Sequence, residues 1–272
     1  KTLNESLGAG GKLGLAGRVL TQAGNIDIEA GRLNLLARGT DSAASEALVF
    51  AAGSNTSVAG RVRQVSDTYA VASGGGTLTA TVEKGAIVVN GTLSAAAPTL
   101  PTGMTGQAPA AGTIALTATG TNGQVQMGQT ARLDVSGAAG KGGTVQVDTR
   151  QLALTQAAAQ AATANGALAQ NGLDQLVAAS RNADGSALRE FNVRQRAGDL
   201  DLNSQVKAAL VALTADGADS KPGALTGHLS LGAQAAIDAT TESGGVVQLQ
   251  ALNDLTLNDG ARILARATEA TA

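Results

Sequence analysis

The chain of 272 residues contains no Cys, no Trp, one His, four Pro and only three aromatic residues, Phe50, Tyr69 and Phe191. Each shortage removes a class of protein. Without Cys there is no disulfide framework, no Cys-based zinc site and no thiol nucleophile. A formal charge of −2 leaves no basic excess for a nucleic acid or an anionic membrane surface. No apolar run reaches the roughly 18 residues of a bilayer-spanning helix. Charged residues stand at 15%, against about a quarter in an ordinary domain. Ala, at about a fifth of positions, and the 36 Gly occupy the places that rings and branched chains usually fill.

What is present is a short alternating unit: Gly, polar, branched apolar, polar, apolar. It reads Gly24-Asn25-Ile26-Asp27-Ile28, Gly112-Thr113-Ile114-Ala115-Leu116, Gly143-Thr144-Val145-Gln146-Val147 and Gly198-Asp199-Leu200-Asp201-Leu202, and recurs at Gly227 and Gly245. Alternation of period two over about five residues marks a strand with one buried face. Ile114, Leu133 and Leu152 recur every 19 residues, Val125 and Val145 are 20 apart, and Leu229 and Val247, like Ile237 and Leu255, are 18 apart. A period near 19 carrying two or three short strands predicts an all-β fold, a parallel β-helix or β-solenoid. A barrel or sandwich would want longer strands and more aromatics, although Asn-Gly turns at Asn90, Asn122, Asn165 and Asn171 keep it in view. Narrow coils suit the composition: Val, Ile, Leu and Ala fill the interior, while Gly and Asn serve corners that need left-handed backbone angles. About eleven coils stacked ~4.8 Å apart would make a rod ~50 Å long.

Two regions break the pattern within what otherwise reads as a single solenoid over 1–272. Residues 95–111 hold three of the four Pro and no alternation, which predicts an extruded loop or strap. Residues 156–189 open with Gln-Ala-Ala-Ala-Gln-Ala-Ala-Thr-Ala, a strong helix former. Leu173, Leu176 and Val177 follow at helical spacing, with Asp174, Gln175 and Ser180 on the opposite side. This predicts a small helical excursion closed by the turn Asn182-Ala183-Asp184-Gly185, after which the solenoid resumes at Phe191-Asn192-Val193. The stretch 40–72 is irregular, with short strands expected at Leu48–Phe50, Arg61–Arg63 and Tyr69–Val71. The chain opens Lys-Thr-Leu-Asn without a signal peptide and stops without a closing segment, so both ends read as cuts through a longer protein.

The order of motifs from Gly142 to Ala272 resembles the interior of the large filamentous-haemagglutinin-like exoproteins of Gram-negative bacteria. The residues that carry it are G-G-T-V-Q-V-D-T-R-Q-L-A-L, a helical insertion, F-N-V-R-Q-R-A-G-D-L-D-L-N, A-L-V-A-L-T-A-D-G, G-H-L-S-L-G-A-Q-A-A-I-D-A and D-L-T-L-N-D-G-A-R-I-L-A-R-A-T-E-A. The resemblance covers about half of the chain. It implies a right-handed parallel β-helix, export through an outer-membrane partner pore, and display on the bacterial surface as a fibre that contacts a host or neighbouring-cell glycan or protein. The Asn-Pro-Asn motifs of that family's secretion domain are absent, since the chain contains no Asn-Pro, so this segment is expected to be shaft, with lateral or end-to-end self-association open to it.

No catalytic, cofactor-binding or metal residue is expected. His228 lacks a second His or a nucleophile at usable spacing. Gly142-Gly143, Gly244-Gly245, Asp216-Gly217-Ala218-Asp219 and Asn182-Ala183-Asp184-Gly185 fall short of calcium motifs and read as turns. Ser73-Gly74-Gly75-Gly76-Thr77 lacks the Lys and helix of a phosphate loop. The rival reading is a β-helical polysaccharide lyase or hydrolase, for which Asp134, Asp148, Asp199, Asp201 and Asp238 recur on strand faces, but three aromatics leave no platform on which to stack sugars. A third reading is the stalk of a contact-dependent toxin. Arg189, Arg194 and Arg196 cluster in sequence and could meet an anionic glycan; neutralisation of Glu190 and Asp199 beside them is the preferred account.

Overall fold

In the computed structural model, residues 6–7, 9–40, 46–138, 140–164, 171–182 and 185–268 are described. After β1 (Ser6–Leu7), the first coil runs β2 (Lys12–Gly17), β3 (Leu20–Gln22) and β4 (Asn25–Ile28). The second is β5 (Arg32–Ala37), β6 (Glu46–Phe50) and β7 (Asn55–Ser57), followed by a hairpin, β8 (Val62–Gln64) and β9 (Ala70–Ala72). The third is β10 (Thr77–Val82), β11 (Ala86–Val89) and β12 (Thr92–Ser94); the fourth is β13 (Thr113–Ala118), β14 (Gln124–Met127) and β15 (Arg132–Asp134). The fifth begins β16 (Thr144–Thr149) and β17 (Gln151–Leu154) and continues as two helices, α1 (Gln156–Ala164) and α2 (Gly172–Ser180). Three further coils are built from β18 (Leu188–Gln195), β19 (Leu200–Leu202), β20 (Gln205–Ala215), β21 (Leu229–Leu231), β22 (Ala236–Asp238), β23 (Val246–Ala251), β24 (Leu255–Leu257) and β25 (Arg262–Leu264).

The named strand pairs are parallel apart from the β8–β9 hairpin, so the fold is an all-β parallel β-helix and the barrel alternative is excluded. Asn90-Gly91 and Asn122-Gly123 turn the chain from one side of a coil to the next, and Asn171 caps α2. One long sheet stacks β2, β5, β10, β13, β16, β18, the second half of β20, and β23. Its inward rows are continuous from end to end: Leu13, Leu33, Leu78, Ile114, Val145, Phe191, Val211 and Val247 form one, and Leu15, Leu35, Ala80, Leu116, Val147, Val193, Leu213 and Leu249 the next. Each row buries apolar on apolar, which is how a stack of narrow coils builds a core with few rings, Phe191 being the one in these two rows.

The coil length differs from the expected period. Lys12 lies over Arg32, Arg32 over Thr77, Thr77 over Thr113, Thr113 over Thr144, Thr144 over Glu190, Glu190 over Leu210 and Leu210 over Val246, steps of 20, 45, 36, 31, 46, 20 and 36 residues. The 19-residue spacing links residues on different sides of the coil: Ile114, Leu133 and Leu152 sit on β13, β15 and β17, which belong to three sheets. Every strand places the same kind of residue inward, so a step of two strands along the path mimics a full turn. The rod therefore has eight rungs in its long sheet and a length of roughly 34 Å at ~4.8 Å per rung, instead of eleven and ~50 Å.

The corner entering the long sheet explains the Gly that starts the Gly112 and Gly143 units, whereas Gly198 and Gly227 take the left-handed angle expected of corners. Gly11, Gly31, Gly76, Gly112 and Gly143 stack, with Arg32, Thr77, Thr113 and Thr144 donating their amides to the first four in turn. A Cβ on Gly76 or Gly112 would lie 2.0 or 1.8 Å from the carbonyl oxygen of the glycine before it. Close approach, and not the left-handed angle expected for corners, demands glycine here.

The strap is narrower than 95–111. Ala95 and Ala97 are buried and donate to Asp134 and Ser136 of the next coil, and Gly112 returns by donating to Ala95. Between them the chain leaves the coil and meets the hairpin, where Thr105 donates to Thr68 and accepts from Ala70. Arg61–Asp27 and Arg63–Glu29 ion pairs hold that hairpin to the first coil. The expected strands in 40–72 correspond to β6, β8 and β9.

Of the helices, α1 begins at the expected Gln156, whereas α2 stands inside the solenoid. Leu173, Leu176, Val177 and Ala179 join the main core, and Asp174, Gln175 and Ser180, expected on the solvent side, are buried as well. The helix replaces the third strand of the fifth coil, so it is covered from above by β14 and β15 and from below by β19. Of its expected closing turn, Asn182 and Gly185 are joined by a hydrogen bond of 3.0 Å, and 183–184 lie outside the described residues.

Candidate functional site

Five of the ten buried polar side chains among the described residues, Asp174, Gln175, Ser180, Asn182 and Gln195, lie at the junction at α2. The sheet β17-β14-β11-β6-β3 ends below at β17, and β1-β4-β7-β12-β15 ends at β15; beneath them begin β19-β21-β24 and the sheet formed by the first residues of β20 with β22 and β25. Strand edges facing such a break carry unpaired N–H and C=O groups. Side chains meet them. Asn171, the N-cap, accepts from Asp174 N at 2.9 Å and donates to Asp201 O at 2.7 Å. The Asp174 carboxylate, in the first turn where the helix dipole favours a negative charge, accepts from Asn203 N at 2.8 Å, from Asn203 Nδ2 and from the Ser204 hydroxyl. Gln175 donates upward to Gly128 O at 3.0 Å. Gln195 accepts from Leu152 N at 3.0 Å and donates to Asp199 O at 2.6 Å, tying the end of one sheet to the start of another. Gly172 lets the helix begin against β17, since a Cβ there would lie 2.6 Å from Ala153 N.

The three arginines do not form one patch. Arg189 and Arg194 are five residues apart on β18, roughly 17 Å along an extended strand. Arg189 donates to Thr144 Oγ1 at 2.8 Å and approaches Glu190 at 3.5 Å. Arg194 pairs with Asp216 at 2.8 Å, and Arg196 grips Asp148 with two bonds of 2.7 and 2.8 Å. The Asp148 hydrogen bond raises the Arg196 guanidinium above its ordinary value despite partial desolvation. Neutralisation is thus the arrangement present, with Glu190 as expected but with Asp216 and Asp148 in place of Asp199. Asp199 instead accepts the amides of Gly227 and His228 at 2.9 and 3.0 Å.

The other acidic residues serve turns. Asp134 accepts from Ser136, Asp238 from Thr240 N, and Asp219 from Gly198 N at 2.8 Å and from the Thr226 hydroxyl at 2.8 Å. The Gly198 amide, then Thr226, hold the Asp219 carboxyl below its usual range. Asp201 is exposed. His228 lies with Nδ1 3.2 Å from Asp254 and Nε2 3.3 Å from Leu225 O. Among the described residues no three His, Asp or Glu side chains converge on a point that could hold a metal ion. Sequence reasoning passed over Arg181 and Lys207, which flank the C-terminal end of α2; neither carries a motif, and only the fold brings them together. Comparison with protein-family models, with characterised proteins and with solved structures found no match to this chain.

Proposed function

We propose that the chain is a structural shaft segment of a secreted fibre on a Gram-negative cell surface, of the kind its motifs resemble, presenting a binding or effector module away from the outer membrane. The observation that supports this reading is the long sheet, whose inward rows run through all eight rungs without a break even where the other two sides of the coil end. Such a body adds one rung at a time, which suits export through an outer-membrane pore and folding as it emerges. Loops at the corners vary from coil to coil while the rows are kept, so length is the property the architecture holds constant.

The test is made in the full-length protein on cells. In-frame duplication of the segment adds eight rungs and should lengthen the surface fibre by roughly 38 Å per copy, seen by electron microscopy, with the adhesive or effector activity kept and display dependent on the export pore. An unchanged length, or turnover by the purified chain of any glycan in a polysaccharide panel, overturns the reading.

A further inference from the structure

A cavity of about 250 Å³ opens beside the C-terminal end of α2. It exists because a helix has taken the place of a strand. A strand would sit ~4.8 Å from the next rung, whereas a helix with its side chains is ~10 Å across, and the two spacings do not close against each other. Gln205–Lys207, the first residues of β20, pair with β22 below, and their upper neighbour is this gap instead of a strand. The floor is apolar: Val177, Leu188, Phe191 and Val206.

Two polar side chains in the wall have no partner for one atom each. Ser180 is 1% exposed and Asn182 4%, yet Ser180 Oγ and Asn182 Oδ1 make no hydrogen bond. The amide nitrogen of Asn182 is committed to Ser186, at 3.2 Å to its carbonyl and 3.0 Å to its hydroxyl, so the orphaned atom is the acceptor oxygen. Buried polar atoms are rarely left unpaired without a use. At the rim stand Arg181 and Lys207. Arg181 makes no ion pair among the described residues; Lys207 has only a 3.4 Å contact to Gly185 O. Asp238, the register neighbour of Lys207, turns instead to Thr240 N. No described carboxylate lines the cavity.

We propose that this cavity binds the carboxyl end of a peptide that finishes in a small apolar residue. The terminal carboxylate lies between Arg181 and Lys207, whose charge offsets the unfavourable end of the helix dipole. The last side chain rests on Val177, Leu188, Phe191 and Val206. Its amide N–H donates to Asn182 Oδ1, the Ser180 hydroxyl donates to the carbonyl before it, and the extended backbone runs along the open edge of β20, as in strand addition with carboxylate capture. An acidic sugar fits less well, because the apolar floor of Val177, Leu188, Phe191 and Val206 would leave its ring hydroxyls unpaired. This site is independent of the shaft reading.

The test uses the purified chain and a fluorescein-labelled hexapeptide, Gly-Ser-Gly-Ser-Gly-Val, with a free carboxylate, followed by fluorescence polarisation. Binding should weaken at least tenfold for the same peptide as its C-terminal amide. It should weaken at least tenfold again for the doubly substituted Arg181→Gln, Lys207→Gln chain, whose exposed substitutions leave the unfolding temperature unchanged. N-acetylvaline should compete and glucuronate should not. No saturation at millimolar peptide, equal binding of acid and amide, full binding by the double variant, or equal competition by glucuronate each overturns the proposal.

Discussion

The coils before α2 and those after it solve the same packing problem differently. In the N-terminal stack, β1–β17, every turn into the long sheet passes through the glycine column, and three sheets run side by side. In the C-terminal stack, β18–β25, the column stops at Gly143, which receives the Arg189 amide, and β20 rounds the corner without leaving the strand conformation, pairing with β22 through Gln205–Lys207 and with β23 through Leu210–Ala215. Only the long sheet belongs to both. Where the other sides stop, side-chain amides and one carboxylate take over the work of the missing rung. A parallel stack can thus change its cross-section midway, provided that one face stays in register and each exposed edge finds a polar side chain.

If the stacks are distinct units joined by α2, substitutions should separate them. Phe191→Ala removes the largest buried side chain of the C-terminal stack, which is 1% exposed and lies between Val145 and Val211 in its row. It should cost about 4 kcal/mol and split urea unfolding, followed by circular dichroism, into two transitions. A single transition, shifted as a whole to lower urea, would show the stacks to be one unit. Asp174→Ala strips Asn203 N and Ser204 Oγ of their acceptor and should cost about 3 kcal/mol. Asp174→Asn, which keeps an acceptor oxygen, should recover part of it, and hydrogen exchange should locate the loss at β19 and the start of β20.

Thr56 sharpens the comparison from the other side. It stands in the inward row Ile26, Thr56, Leu93, Leu133 of the N-terminal stack, fully buried with its hydroxyl unpaired. Thr56→Val should stabilise by about 1 kcal/mol, raising in calorimetry the transition of that stack alone. The smallest effect is acidic. Because the folded state holds the Asp219 carboxyl below its ordinary range, the stability it contributes is present above roughly pH 4 and is lost as pH falls through the lower folded value. Between pH 5 and pH 3 the C-terminal stack should lose more stability than the same stack carrying Asp219→Asn; equal losses would remove Asp219 from the account.

Much of the fold was legible in the sequence because alternation is local. The strand units, the start of α1 at Gln156 and the return at Phe191-Asn192-Val193 all follow from neighbouring residues. The assignment of strands to sides was not legible: Leu133 and Leu152 look alike in sequence, and only registry tells that one lies on β15 and the other on β17. The junction was hidden for a related reason. Asp174 and Gln175 carry the signature of a solvated helix face, and Gln195 that of one more polar strand residue, yet each is buried because a strand edge next to it lacks a partner. The arginine pairs were half legible, since Glu190 is adjacent in sequence whereas Asp148 and Asp216 come from neighbouring rungs.

A column braced along one side and jointed on the other two flexes as a leaf spring does. The long sheet is the leaf, and the gap closed by Asn171, Asp174, Gln175 and Gln195 is where curvature concentrates, because hydrogen bonds of single side chains yield before a ladder of backbone bonds. Sideways load on such a column falls first on the contacts around α2, and the cavity beside the helix lies at that same joint.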